Sequence, residues 1–347
     1  MNKTGNQLRI YRLIQSAIKD FRLNLKGMTV LTEAASGAFV VSPIIAALAG
    51  ADKVFAIGRD SKYGKFNDVR RYLESYAYEF GISDRINISS EQARHFAAQA
   101  NIVTNLGFVR PIDGDFVERL GSAAAIALMW EPWEYRPEDI DLEACKRKGI
   151  PVLGTCETHP RLQIFRYVGI LALKLLLEAE IEIFKSQILV VGSGIFGDET
   201  VNVLTANGVT VRRYSLHEAL DETLEQFVRC ADAIIVVEHI SNSLVIGESG
   251  GIPIDWLTKS GIRVIHICGS LNYDLLDKYS VNKLPVGRVA SGFMSLTTDY
   301  VGPRPVIDLH TAGLKVGEAL VVGLRQFGSP ERAVSYALNQ SPALDFA

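Results

Sequence analysis

Gln187 to Ser215 reads QILVVGSGIFGDETVNVLTANGVTVRRYS. The apolar run QILVV predicts a buried strand, DETVNVLTANG a helix and VTVRRY a second strand, so GSGIFG falls in the turn between strand and helix. Each glycine in such a turn has its own task. Gly192 makes the tight turn, Gly194 lets a pyrophosphate approach the backbone, and Gly197 permits close packing of helix on strand. The residues expected to seat a dinucleotide are therefore Gly192, Ser193, Gly194, Ile195, Phe196 and Gly197; a tight turn without ligand is the alternative. An adenosine ribose usually meets a carboxylate about twenty residues further on. Here the chain offers Arg212, Arg213, Tyr214 and Ser215 instead. Arg213 and Ser215 suit a ribose phosphate, which leaves NAD and NADP both open. Asp198 and Glu199 complement the helix dipole but bring negative charge near the diphosphate position.

The rest of the chain sets that turn in a larger plan. Its 347 residues suit two domains. Hydrophobic residues at 48% against 22% charged imply compact, buried cores rather than disorder. Lys plus Arg number 36 against 39 Asp plus Glu, and no basic run marks a nucleic-acid groove. Cys145, Cys156, Cys230 and Cys268 lack the spacing of a zinc site or a disulfide framework, so reduced thiols in a cytoplasm and no metal are expected. The N-terminus lacks a signal-peptide pattern, and no segment reaches the roughly 18 apolar residues of a membrane span. The expected partner is a small molecule, with neither nucleic acid nor membrane.

Short apolar runs alternate with helical patterns throughout. Leu8, Tyr11, Ile14, Ile18 and Phe21 predict an opening amphipathic helix. MTVLTE, KVFAIG, INIS, NIVT, AAIALM and PVLGT then predict six strands, separated by five helices that include EQARHFAAQA. Pro160 to Glu180 reads as one helix, after which QILVV, VTVRRY, ADAIIVV, IRVIHIC, PVGRVA and PVIDLH predict a second set of strands. Thr311 to Phe327 is again helical in pattern. The fold class expected is α/β: two doubly wound, parallel-sheet, Rossmann-like domains joined by long helices, with a cleft between them. The expected boundaries are 1–160 plus 311–347 for a substrate domain, and 161–310 for the dinucleotide-binding domain.

The GSGIFG turn, the long helix after PVLGTCETHP and the helix after PVIDLHTAG resemble the D-isomer-specific 2-hydroxyacid dehydrogenases, the formate and glycerate dehydrogenase branch in particular. The likeness is clearest from about Ile150 to Gly328. ADAIIVVEHI is similar to that family's fourth cofactor-domain strand, and LHTAG to the stretch ending in its catalytic histidine, which would give that role to His310. The resemblance implies hydride transfer between a nicotinamide and a hydroxy or oxo substrate in the cleft, and a homodimer. After GIRVIHI, where the family carries an arginine for the substrate carboxylate, this chain has Cys268, Gly269 and Ser270; a shifted register places Ser249 there.

Ligands of open α/β sheets lie outside the carboxyl ends of the strands. In the second domain those ends add Glu238, His239, Cys268 and Gly269 to the cofactor residues, with His310 as general base. In the first they give Arg59, Asn105, Glu131, Glu157 and His159 as substrate residues. Arg59 would supply the absent guanidinium fork. Trp130, Trp133 and Tyr135, interleaved with Glu131 and Glu134, suit a polyol, amine or sugar-like ligand, or else cover the sheet end. Two further readings remain open from the sequence: a nucleotide-binding or regulatory protein that has lost catalysis, and a hydrolase or lyase with tightly held NAD, as in proteins like adenosylhomocysteinase.

Overall fold

The computed structural model describes residues 3–248, 251–258 and 261–346, so Ser249 lies outside the described residues. The chain divides into two compact units, residues 1–163 with 303–347, and residues 164–302.

In the first unit, strands β1 (Thr29–Glu33), β2 (Lys53–Ile57), β3 (Ile86–Ser89), β4 (Ile102–Thr104), β5 (Ala125–Ala127) and β6 (Val152–Thr155) pair in parallel in the spatial order 3-2-1-4-5-6. The last strand of the chain, β14 (Ala343–Leu344), adds antiparallel to β6. All six parallel strands are those expected from the apolar runs. Each is short, and all but the edge strand β3 are mostly buried, as a sheet covered on both faces requires.

Alternation sends neighbouring residues to opposite faces. Val30, Val54, Ile102 and Ala127 meet α1 (Lys3–Phe21), α2 (Val41–Leu48), α11 (Arg304–Phe327) and α12 (Pro330–Gln340). Leu31, Phe55, Val103 and Ile126 meet Phe116 of α4 (Gly114–Arg119) and Ala144 of α5 (Leu142–Lys148). The opening helix forms as expected but buries Ile10, Ile14, Ala17 and Phe21, leaving Leu8 exposed. Helix α3 (Phe66–Glu79) follows β2 and buries Val69, Leu73, Tyr76 and Ala77. Glu318 of α11 accepts from the Asn24 N–H at 2.9 Å and from Lys315 at 2.7 Å, tying α11 to the turn after α1.

In the second unit, β7 (Gln187–Val191), β8 (Thr210–Tyr214), β9 (Ala233–Val237), β12 (Arg263–Cys268) and β13 (Lys283–Leu284) form a parallel sheet ordered β13-β12-β9-β7-β8. A separate two-strand ladder joins β10 (Ile246–Gly247) to β11 (Ile252–Pro253). Helices α6 (Arg166–Glu178) and α7 (Gly194–Ala206) pack on one face, and α8 (Glu222–Cys230), α9 (Ile254–Leu257) and α10 (Tyr273–Lys278) on the other.

Four local expectations are corrected. PVIDLH is not a strand but the first turns of α11, because Val306, Ile307, His310 and Thr311 continue the helical spacing of Leu314 and Val316 on one buried face. Residues 303–310 consequently fall in the first unit rather than the second. PVGRVA forms no strand; pairing stops at Leu284, before Pro285, which has no N–H to give. EQARHFAAQA forms two 3-10 turns, Ala93–His95 and Ala97–Gln99, and the Pro160 to Glu180 helix begins only at Arg166.

Helices α6 and α7 cross where Gly169 leaves no room for a side chain: an added Cβ would lie 2.6 Å from the Glu199 carbonyl oxygen and 2.7 Å from Val203 Cγ2. Gly169→Ala is therefore expected to destabilise the protein by about 2 kcal/mol despite alanine's better helix propensity. Chemical denaturation checks this, and equal or greater stability would show that the crossing yields freely.

Candidate functional site

The glycine turn sits where the second sheet changes direction, between β7 and β9. All three glycines face protein atoms. A Cβ at Gly192 would come within 2.7 Å of the Val237 carbonyl oxygen, and one at Gly194 within 2.8 Å of Ile240 Cδ1. A Cβ at Gly197 would strike the Gly192 carbonyl and lie 2.8 Å from an Arg213 nitrogen. Gly194 also takes φ +60°, a conformation that glycine adopts without strain.

Charged side chains tie the turn together. Glu238, 1% exposed at the end of β9, accepts from the N–H groups of Ser193 (3.0 Å), Ile240 (2.9 Å) and Ser241 (2.9 Å). Burial works to raise its pKa, but these donors outweigh burial and hold it below the usual carboxylate range. Arg213 donates to the carbonyls of Gly192 (3.0 Å) and Gly194 (3.2 Å) and pairs with Asp198. The Asp198 charge is thus met locally. His239 stacks on Phe196 with ring centroids 4.2 Å apart, and burial lowers its pKa. Its Nδ1 is buried without a hydrogen-bond partner. On the next strand, burial foremost, and then Glu238, push the Cys268 thiol up to about 12, so it is no thiolate nucleophile. Gly269 takes φ +117° beside Glu238. Gly192 to Gly197, Arg213, Glu238, His239, Cys268 and Gly269 are thus brought to one end of one sheet, and Ser215 joins them through its hydroxyl, 3.3 Å from that of Ser193.

This arrangement fits a diphosphate in one respect that matters: the first turn of α7, whose N–H groups have no partner inside the helix, carries no side-chain cap. It does not fit a phosphate held by Arg213, whose guanidinium is spent on two carbonyls and Asp198. A carboxylate that spacing alone does not reveal lies beside the end of β8. Glu218, four residues past the strand, turns back so that its Oε1 accepts from Ser215 N–H at 3.0 Å.

His310 is placed otherwise than expected. It lies on α11, 3% exposed, with Nδ1 2.6 Å from Ser42 Oγ, and burial lowers its pKa to about 4. It is a core histidine in a helix interface rather than a group at an open strand end.

At the carboxyl ends of the first sheet, Glu131 accepts from the Glu157 N–H (2.9 Å) and from Trp133 Nε1 (2.7 Å). Burial raises Glu134 to about 7, and burial with the charges of Glu134 and Glu131 raises Glu157 well above the usual range. Asn105 is wholly buried; its Oδ1 accepts from Met129 N–H at 2.9 Å, while its Nδ2 has no partner. Glu33, at the end of β1, accepts from Phe108 N–H at 3.2 Å, and Arg59 and Arg110 act on its charge. Arg59 lies over the Phe108 ring. His159 stands apart on the turn that follows β6, its Nδ1 accepting from Arg161 N–H at 3.3 Å. Glu134, Arg110 and Glu218 were missed as site residues, although Glu134 lies in the aromatic stretch already singled out and Arg110 five residues past Asn105. Among the described residues no cluster of His, Cys, Asp and Glu could hold a metal ion, and no helix is long and apolar enough to cross a membrane.

No protein-family profile and no curated protein sequence matches the chain. Solved structures do. A dipicolinate synthase polypeptide from Bacillus subtilis superposes with a TM-score of 0.51 at 13% identity, over 87% of this chain and 99% of that one. The dipicolinate synthase polypeptide from Bacillus halodurans gives 0.50 at 12%, over 83% and 96%. The fold shared with these structures is a two-unit, parallel-sheet α/β plan of Rossmann type. At these identities the likeness is one of architecture.

The neutral His310 has a consequence for stability. Unfolded, a histidine takes up a proton near pH 6.5, whereas His310 in the fold resists it down to about 4, so the fold loses stability as pH falls through that window. The loss from this group amounts to about 3 kcal/mol. Unfolding free energies of wild type and His310→Gln measured from pH 7 to 4 are expected to converge as pH falls; parallel curves would mean that His310 is accessible and titrates normally.

Proposed function

We propose that the protein is an NAD-linked oxidoreductase acting on a small hydroxy or oxo compound, its second unit holding the dinucleotide and its first the substrate. The observation that carries this reading is the uncapped first turn of α7 directly after a glycine turn at the switch point of a Rossmann sheet. Ser193, Gly194, Ile195 and Phe196 would meet the diphosphate, and Glu218 with Ser215 the adenosine ribose. Arg213 is committed within the turn, which favours NAD over NADP. Bound NAD would supply hydride chemistry. The chain would hold and release the proton at Glu134, whose pKa of about 7 suits exchange near neutral pH, with Glu157 keeping a proton beside it. Glu131 positions the Glu157 backbone and Trp133. Exposed Leu177 and Phe184 on the second unit support a homodimer.

A second reading, nucleotide binding without turnover, is favoured by the burial of His310 and by the absence of an arginine directly after β12. One set of measurements separates the two. Calorimetry is expected to show NAD binding at least tenfold more tightly than NADP, with Glu218→Ala narrowing that preference. NADH oxidation with a panel of oxo acids, aldehydes and ketones is expected to fall about a hundredfold in Glu134→Gln. Binding without turnover selects the second reading, bound NAD that does not exchange selects internal redox chemistry in a hydrolase or lyase, and no heat with either dinucleotide removes the proposal.

A further inference from the structure

Beside the carboxyl ends of β2 and β3 lies a cavity of about 190 Å³ lined by Arg59, Arg94 and Arg110, with Ile57, Phe108 and Phe116 among its apolar walls. The charge distribution around it is unequal. Glu91, which also lines it, is 3.2 Å from His95. The carboxylates that hold the arginines do not line it: Asp113 and Asp115 grip Arg94 at 3.2 and 3.0 Å, and Asp139 pairs with Arg110. Asp113 is fixed in turn because it caps α4, accepting from Phe116 N–H. Arg59 makes no ion pair among the described residues; it lies over the Phe108 ring and reaches the Gly107 carbonyl at 3.4 Å. Arg110 lies over the Trp130 ring, 5.1 Å from its centroid, and its Nε is buried without a hydrogen-bond partner.

The three guanidinium groups repel one another; Asp113, Asp115 and Asp139 offset this for Arg94 and Arg110, Glu33 acts on Arg59 and Arg110, and an anion in the cavity would offset it further. Two are braced from behind by carboxylates and two rest on aromatic rings, so their side chains lose little freedom when a ligand arrives. We propose that this cavity is a binding site for a compact dianion, a phosphate group or a small dicarboxylate, held by Arg59, Arg94 and Arg110. The proposal concerns the first unit alone and needs nothing from the glycine turn. The volume admits a group of that size and excludes a dinucleotide. Arg59 supplies a guanidinium that no carboxylate meets at ion-pair distance among the described residues.

The test is calorimetric titration of the full chain with inorganic phosphate and, separately, with malonate, at ionic strength held constant with sodium chloride and with sodium chloride alone as the blank. Saturable binding of one anion per chain is expected, accompanied by a change in tryptophan emission as Arg110 shifts beside Trp130. The arm that binds more tightly identifies phosphate or dicarboxylate chemistry. Arg59→Ala, at an exposed position, is expected to weaken binding at least tenfold without lowering the melting temperature. Arg94→Lys, which keeps the charge and loses the fork, is expected to weaken it severalfold. Arg229→Ala, on α8, should bind as wild type does. Heat no greater than the blank in both arms, or unchanged affinity in Arg59→Ala and Arg94→Lys, overturns the site. NAD titrated into the same sample reads the glycine turn separately, so either inference can fail while the other stands.

Discussion

Gly192, Gly194 and Gly197 have no room for a side chain, and the local structure of the second unit depends on that. With the Gly192 backbone pressed on Val237 and Gly197 pressed on Gly192, α7 can start only where it does, with its first turn directed past the end of β7. Arg213 and Glu238 then fasten the turn from two sides, one through its carbonyls and the other through an N–H. Removing any of the glycines would move the helix start, and with it the uncapped amides on which the proposed anion binding rests. The glycine pattern therefore has an internal explanation as well as a ligand-based one. What distinguishes the two is the state of the α7 amides, which no protein side chain caps.

Glu238 brings a carboxylate close to where a diphosphate would lie, and on charge alone it would oppose the ligand. Its three backbone donors change that balance. They satisfy the carboxylate and disperse its charge over the surrounding peptide groups, as its lowered pKa records. Asp198 is treated similarly by Arg213. The first unit handles its charges in the opposite manner. Glu134 and Glu157 lie in surroundings where burial outweighs hydrogen bonding, which raises Glu134 to about 7 and Glu157 well above the usual carboxylate range. Acids of one kind thus serve as fixed ties in one unit and as proton holders in the other.

Most of the fold was legible because both sheets are buried on their two faces, and strands such as KVFAI and AIIVV announce themselves as uninterrupted apolar runs. The misreading of PVIDLH has the same root. Val306 and Ile307 look like a short buried strand, and only their register with Leu314, eight and seven residues on, reveals a helical face. Site residues on strand ends could be found by position, as Glu238, Arg59 and Glu131 were. Glu218 and Arg110 could not, since a loop decides where each side chain returns, and loop geometry carries little periodic signal.

The displacement of His310 changes what kind of catalyst the chain can be. A histidine whose pKa lies near 4 is already deprotonated at neutral pH, and one locked 2.6 Å from Ser42 Oγ inside a helix interface cannot pass a proton to solvent-borne substrate. If the protein moves protons near pH 7, a group with a pKa in that range must do so, and Glu134 at about 7 satisfies this condition while sitting next to a strand end. A carboxyl in this role differs from an imidazole in a useful way: its protonated form is neutral, so it can donate to a developing alkoxide without adding a cation beside the substrate. On the proposed reading, the acid pair Glu134 and Glu157 would take the part that a histidine would otherwise play.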